Sequence, residues 1–178
     1  VLPGVPMYRR RLSVAEVRRR IDLYHTPYRA ALGREIDAAA GRHGRVWHFN
    51  CHSMKSRGNA MNTDSGRPRP DIVIGDRDGT SAEPAVTRWV TAYFTERGYR
   101  VQVNDPYRGA DIVRAHGDPA RGRSSVQIEI NRAVYLDEST CEPGLGFARL
   151  RDDDLEHVRT LINKPNGIVI VTGPTGSG

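Results

Sequence analysis

Lysine is nearly absent from this sequence. Lys55 and Lys164 are the only two among 27 basic residues, so arginine carries the positive charge. The bias reads as the composition habit of a GC-rich coding sequence. Cysteine is equally scarce. Cys51 and Cys141 are the two present, without CxxC spacing, which excludes a disulfide scaffold and a thiolate zinc knot. A reducing cytoplasm is the expected compartment. No apolar run approaches the roughly 18 residues that a membrane-spanning helix needs, so no membrane partner is expected. Aromatic residues make up only 7%. A net charge of +6 would suit nucleic acid, yet the arginines are dispersed apart from Arg9–Arg11 and Arg18–Arg20. Neither interleaved aromatics nor a recognisable binding module accompanies them, so no nucleic-acid partner is expected. The opening VLPGVPMYRRR has no initiating Met and no charged-then-apolar signal layout. It reads as the middle of a longer protein.

The length of 178 residues fits one ordinary domain, or one plus a fragment, and can bury a real core. Ser13-Val14-Ala15-Glu16 has the arrangement of a capping box. Val14, Val17, Ile21, Tyr24, Tyr28, Leu32, Ile36 and Ala39 follow at helical spacing, which predicts a long amphipathic helix over 13–40, stopped at Gly41 and bent or split at Pro27. Residues 45–50 read as a strand running into Cys51-His52-Ser53-Met54, and residues 55–70 as a long polar loop. A short buried strand follows at 71–75. Pro84 opens a helix with Val86, Trp89, Val90, Tyr93 and Phe94 on one face, closed by Gly98. Strands are expected at 99–103 and 125–130, separated by a polar loop over 104–124. Strands alternating with amphipathic helices predict a layered α/β sheet, at least partly parallel. Ligand chemistry in such sheets sits beyond the carboxyl ends of strands. Three polar clusters, Asn50–Met54, Asp76–Ser81 and Glu129–Arg132, are expected there.

His52 is a candidate metal ligand, although a histidine at a strand end is more often a hydrogen-bonded surface residue. Alternation puts Cys51 and His52 on opposite faces, which argues against a Cys-His nucleophile pair. Glu129 lies in Val126-Gln127-Ile128-Glu129-Ile130-Asn131-Arg132, a strand too apolar to leave a carboxylate uncompensated. It is either ion-paired with a nearby arginine or a general base. Arg132, Arg67 and Arg69 could each grip a carboxylate. Asp71, Asp76 and Asp78 are turn formers as readily as ligands. The closing GPTGSG, from Gly173 to Gly178, matches only the first part of a phosphate-cradling loop. It lacks the Lys, the hydroxyl and the following helix, so no nucleotide binding is expected.

Several motifs in order then resemble one family. They are His52-Ser53-Met54, RPDIVIGDRDGTS over 69–81, NDPYRG over 104–109, GDPARG over 117–122, QIEINR over 127–132 and YLDE over 135–138. Together with Pro6-Met7-Tyr8-Arg9-Arg10, they make residues 5–150 similar to the N-formylglutamate amidohydrolases. The resemblance implies a three-layer αβα mixed sheet of the zinc-carboxypeptidase and aspartoacylase kind. It also implies zinc-dependent release of formate from N-formyl-L-glutamate, the end of one histidine-degradation route, or action on a related N-acyl amino acid. His52 would be the last of the zinc ligands, and Glu129 the base that takes a proton from water and returns it to the leaving amine. Arg132, Arg69 and Tyr107 would be substrate-binding residues. Asn50 stands where the family usually has Asp. The other zinc ligands of the family fall before residue 1, so only one would be retained and the isolated chain is expected to be inactive. A sheet without its first strands would leave an uncovered edge and favour self-association.

The tail over 164–178 resembles instead the Walker A start of type II secretion and type IV pilus assembly ATPases. Residues 1–150 and 151–178 are therefore expected to be an N-terminally truncated amidohydrolase domain and a junction to an incomplete ATPase segment. A fragment of a secretion motor and a non-catalytic anion-binding module are the alternative functions.

Overall fold

The computed structural model describes residue 6, residues 8–152 and residues 167–172. The segments over 153–166 and 173–178, with most of the expected junction, lie outside the described residues. Ser13 Oγ accepts the Glu16 amide at 3.1 Å and starts helix α1, Val14–Arg20. The Glu16 carboxylate turns to Arg10 and Arg20, each at 2.7 Å, so one half of the capping box forms. The helix does not break at Pro27. It widens into one π-type turn, Ile21–His25, and continues as α2, Thr26–His43. A proline lacks the amide and crowds the carbonyl four residues back, and a wider turn just before it relieves both defects. The stop is Gly44, in the left-handed region at φ 73°, three residues past Gly41. Only Leu32, Ile36 and Ala39 of the predicted stripe are buried; Val14, Val17, Ile21, Tyr24 and Tyr28 are exposed.

The strands are β1 (Val46–Met54), β2 (Ile72–Gly75), β3 (Val101–Val103), β4 (Arg123–Asn131) and β5 (Gly167–Thr172). They form one mixed sheet in the order β3-β2-β4-β1-β5. β1 runs parallel to both β4 and β5, β2 runs parallel to β3, and β2 pairs antiparallel with β4. Helix α3, Pro84–Glu96, covers one face. Its Val86, Val90, Tyr93 and Phe94 pack with Phe49, Ile72, Ile74, Val126 and Ile128. The opposite face meets α2 and a short helix, α4 (Asp111–His116), through Leu32, Ile36, Ala39, Val46 and Ile112. Six residues are too few to show a helical period, which is why α4 reads as loop in the sequence.

Alternation along β1 and β4 does the sorting. Phe49 pairs with Val126 and Cys51 with Ile128, facing α3. Asn50 pairs with Gln127 and His52 with Glu129, facing the other way.

Gly75 closes β2 against the backbone of the loop that follows β3. A Cβ there would lie 2.6 Å from the Gly109 nitrogen and 2.9 Å from the Tyr107 carbonyl oxygen, and neither can swing aside. Gly75→Ala is expected to lower the unfolding free energy by about 1–3 kcal/mol. Gly41→Ala, where nothing lies within 4 Å, is expected to raise it by roughly 0.5–1 kcal/mol. Denaturant midpoints of the two variants check both, and equal midpoints would refute the close-approach argument.

Candidate active site

His52 and Glu129 are register partners on adjacent parallel strands, each two residues before its strand ends at Met54 and Asn131. Their side chains therefore leave the same face of the sheet at the same rim. Glu129 is fully buried and His52 is 8% exposed. Burying a carboxylate is costly unless donors meet it. Gln127 Nε2 donates to Glu129 Oε1 at 2.9 Å. Gln127 Oε1 in turn accepts the Ala110 amide at 3.0 Å.

The third contributor is the start of β2, brought to this rim because β2 runs against β4. The Asn131 amide donates to the Asp71 carbonyl at 2.8 Å, and Asn131 Nδ2 donates to the Pro70 carbonyl at 3.0 Å. Arg69 is thereby placed beside the site. Its Nε and Nη2 donate to Asp64 at 2.6 and 2.9 Å, and Nη1 donates to the Lys55 carbonyl at 3.3 Å. The guanidinium also lies 5.0 Å from the Tyr107 ring centroid. Burial pushes the Tyr107 phenol above its ordinary value; the Arg69 charge opposes this, and the Glu129 and Asp64 carboxylates reinforce it. Arg69 guanidinium contacts in the structure are thus to Asp64, Lys55 and Tyr107. Arg132, at the end of β4, donates from Nε to Ser53 Oγ at 3.2 Å and is only partly buried.

Of the three polar clusters expected at one rim, two meet there. Asp76–Ser81 does not, because antiparallel β2 ends at the opposite rim, with the Ser81 carbonyl accepting the Ser125 amide at 2.7 Å. Asp76 organises a turn. Burial pushes its carboxyl up, but Asn104, Thr87 and the Gly79 amide outweigh that and hold it below the ordinary value. Asp71 binds Arg100 at 2.8 Å and Asp78 binds Arg108 at 3.1 Å. His48, on the same face as His52, pairs through Nδ1 with Ser125 Oγ at 2.7 Å. Burial, with the neighbouring His116 adding to it, pushes its imidazole down to about 3, so it is neutral at physiological pH. Neither Gln127 nor Asp64 was expected as a site residue; alternation around Glu129 was the signal that could have pointed to Gln127, whereas nothing local marks Asp64 within its loop.

A catalytic zinc takes three protein ligands and water. Among the described residues, no group of three or more His, Cys, Asp and Glu could hold a metal ion. His52 can be one donor, but the described residues do not complete a zinc centre. No described helix is long and apolar enough to cross a membrane.

The family model for N-formylglutamate amidohydrolase matches residues 1–136. The N-formylglutamate deformylase of Pseudomonas putida is 27% identical over 139 residues, covering 76% of this chain and 51% of that protein. The crystal structure of N-formylglutamate amidohydrolase from Ralstonia eutropha JMP134 is 45% identical, with a TM-score of 0.75. The match covers 87% of this chain and 58% of that one. The chain thus spans about half the length of the curated relative it matches.

Arg69 hydrogen bonding holds the Asp64 carboxyl below its ordinary 3.8, against the smaller opposing effect of burial. A depressed folded value stabilises the fold above the ordinary carboxyl range, and that stabilisation is lost as pH falls through the lowered value. Asp64→Asn leaves a guanidinium 3% exposed without its counter-charge and is expected to cost about 3 kcal/mol at neutral pH. The gap to wild type, followed by denaturant unfolding across pH, is expected to shrink below the ordinary carboxyl value. A pH-independent gap would overturn this account of the pair.

Proposed function

Because the chain belongs to the N-formylglutamate amidohydrolase family, we propose that the family-length protein carrying these residues hydrolyses N-formyl-L-glutamate, or a related N-acyl amino acid, to the acid and the free amino acid. The observation that supports this reading is the register pairing of Glu129 with His52 near the shared end of two parallel strands. Two relatives that are amidohydrolase and deformylase by name support it.

In this reading Glu129 accepts a proton from the water whose oxygen attacks the acyl carbon. It then delivers that proton to the amide nitrogen as the C–N bond breaks, leaving formate and the amine. Tyr107 is close enough to Glu129 for that carboxylate to help push its phenol up, and a phenol kept protonated can donate to the substrate. Arg132 takes the substrate carboxylate, with Arg69 and Tyr107 as the further substrate-binding residues of the same proposal. The relation to zinc carboxypeptidases and aspartoacylases, and the zinc dependence with it, belong to the same proposal. The remaining zinc donors would come from outside the described residues. A soluble cytoplasmic setting suits a small-molecule substrate.

Glu129→Gln in the family-length protein is expected to reduce kcat for formate release by about 10²–10⁴-fold, while Arg132→Ala raises KM. Undiminished turnover by Glu129→Gln would refute the assignment of the base. The 178-residue chain by itself, with zinc added, is expected to release no formate, and turnover close to that of a full-length relative would show otherwise. Exposed Val14, Val17, Ile21, Leu23, Tyr24 and Tyr28 lead us to expect self-association of the chain in size-exclusion chromatography. A monodisperse monomer would count against it.

A further inference from the structure

We propose that Gln127 is the positioning residue of the Glu129 carboxylate, an inference that rests on Glu129 acting as the base. The two polar ends of the Gln127 amide are not interchangeable here. A backbone N–H can only donate, so the end facing Ala110, at 3.0 Å, is the carbonyl Oε1. The NH₂ end is then committed to Glu129 Oε1 at 2.9 Å. Gln127 is 5% exposed and Glu129 is fully buried, so water does not compete for the bond between them.

The Ala110 amide is itself held in place. It follows the Tyr107–Gly109 backbone, which packs so closely on Gly75 that no Cβ fits between them. The carboxylate plane is thus set by a chain running from the end of β2, through the 107–110 loop, to the Gln127 amide. Strand geometry delivers the same alignment from the other side. Residues 127 and 129 are successive positions on one face of β4, so a glutamine side chain reaches its neighbour without leaving its own strand. A base must point one lone pair at the attacking water, and small misplacements of a reacting group are expensive in rate.

Gln127→Met keeps the length of the side chain and removes both polar ends. In the family-length protein it is expected to lower kcat for formate release ten- to hundredfold while leaving KM within twofold. The same change made on a Glu129→Gln background is expected to cost nothing further, since no base remains to be aimed. If Gln127→Met unfolds at reduced temperature, Gln127→Asn serves instead, because it keeps the amide but falls one methylene short of bridging both partners. A kcat within twofold of wild type overturns the inference and leaves the base intact. So does an equal fractional loss in both backgrounds, which would mean packing alone. Full activity of Glu129→Gln overturns the base, and the positioning role with it.

A spectroscopic arm uses the 178-residue chain directly. Gln102 and Gln127 are its only glutamines, and Gln102 is exposed on β3, so glutamine-labelled NMR shows two side-chain amide pairs. One proton of the Gln127 pair is expected downfield and protected from exchange, and to move upfield in Glu129→Ala. A Gln127 pair indistinguishable from that of Gln102 overturns the inference.

Discussion

The parallel pairing of β1 with β4, from Val46 opposite Arg123 to Met54 opposite Asn131, is the constraint on which both core and site depend. Side chains alternate with a period of two, so one register choice decides the two faces together. With this register Phe49, Cys51, Val126 and Ile128 fall on the side that α3 covers, and His52 and Glu129 fall on the other. A slip of one residue in either strand would bury a histidine or a carboxylate among Val90 and Phe94. The hydrophobic demand of the α3 face therefore holds the imidazole beside the carboxylate. Packing on one side of the sheet fixes which polar groups meet on the other.

The polar face is tolerable because most of its groups are partnered, the buried Nε2 of His48 being an exception among the described residues. Ser125 meets His48, the Ala110 amide meets Gln127, Gln127 meets Glu129, and Asn131 ties down the carbonyls of Arg69 and Pro70. Each buried polar group left alone would cost on the order of 1–3 kcal/mol. An apolar replacement of this whole face would be no less stable by that reckoning. Retaining such a face at the ends of parallel strands is the pattern expected where stability is traded for function.

Much of this was legible in the sequence, for identifiable reasons. The alternation of Val126, Ile128 and Ile130 against Gln127, Glu129 and Asn131 is a strand signal that tertiary context did not alter. The amphipathic run from Val86 to Phe94 likewise folded as its period dictates. The N-terminal stripe misled in part. Its period is genuine, but a period reports which residues share a helix face, not whether anything covers that face, and Val14 to Tyr28 remain exposed. The direction of β2 was also illegible. Four residues of Ile, Val and Gly fit either orientation, so the Asp76–Ser81 cluster went to the wrong rim. Asp64 was beyond reach because the partner of Arg69 is chosen by the closure of a long loop.

That loop deserves weight equal to the sheet in assembling the site. Arg69 is a buried charge balanced by Asp64, five residues earlier in the same polar segment. Until the segment folds back on itself, the guanidinium belongs in water and cannot settle over the Tyr107 ring. Further anchors act on the two ends of the segment: Glu138 accepts from the Ser56 amide and hydroxyl, and Asn131 holds the Pro70 carbonyl. The sheet thus fixes His52, Gln127 and Glu129 by register, with little freedom left. Tyr107 depends on two loops agreeing, one closed by an ion pair and one pressed against Gly75. The ion pair is therefore what lets Arg69 be buried there.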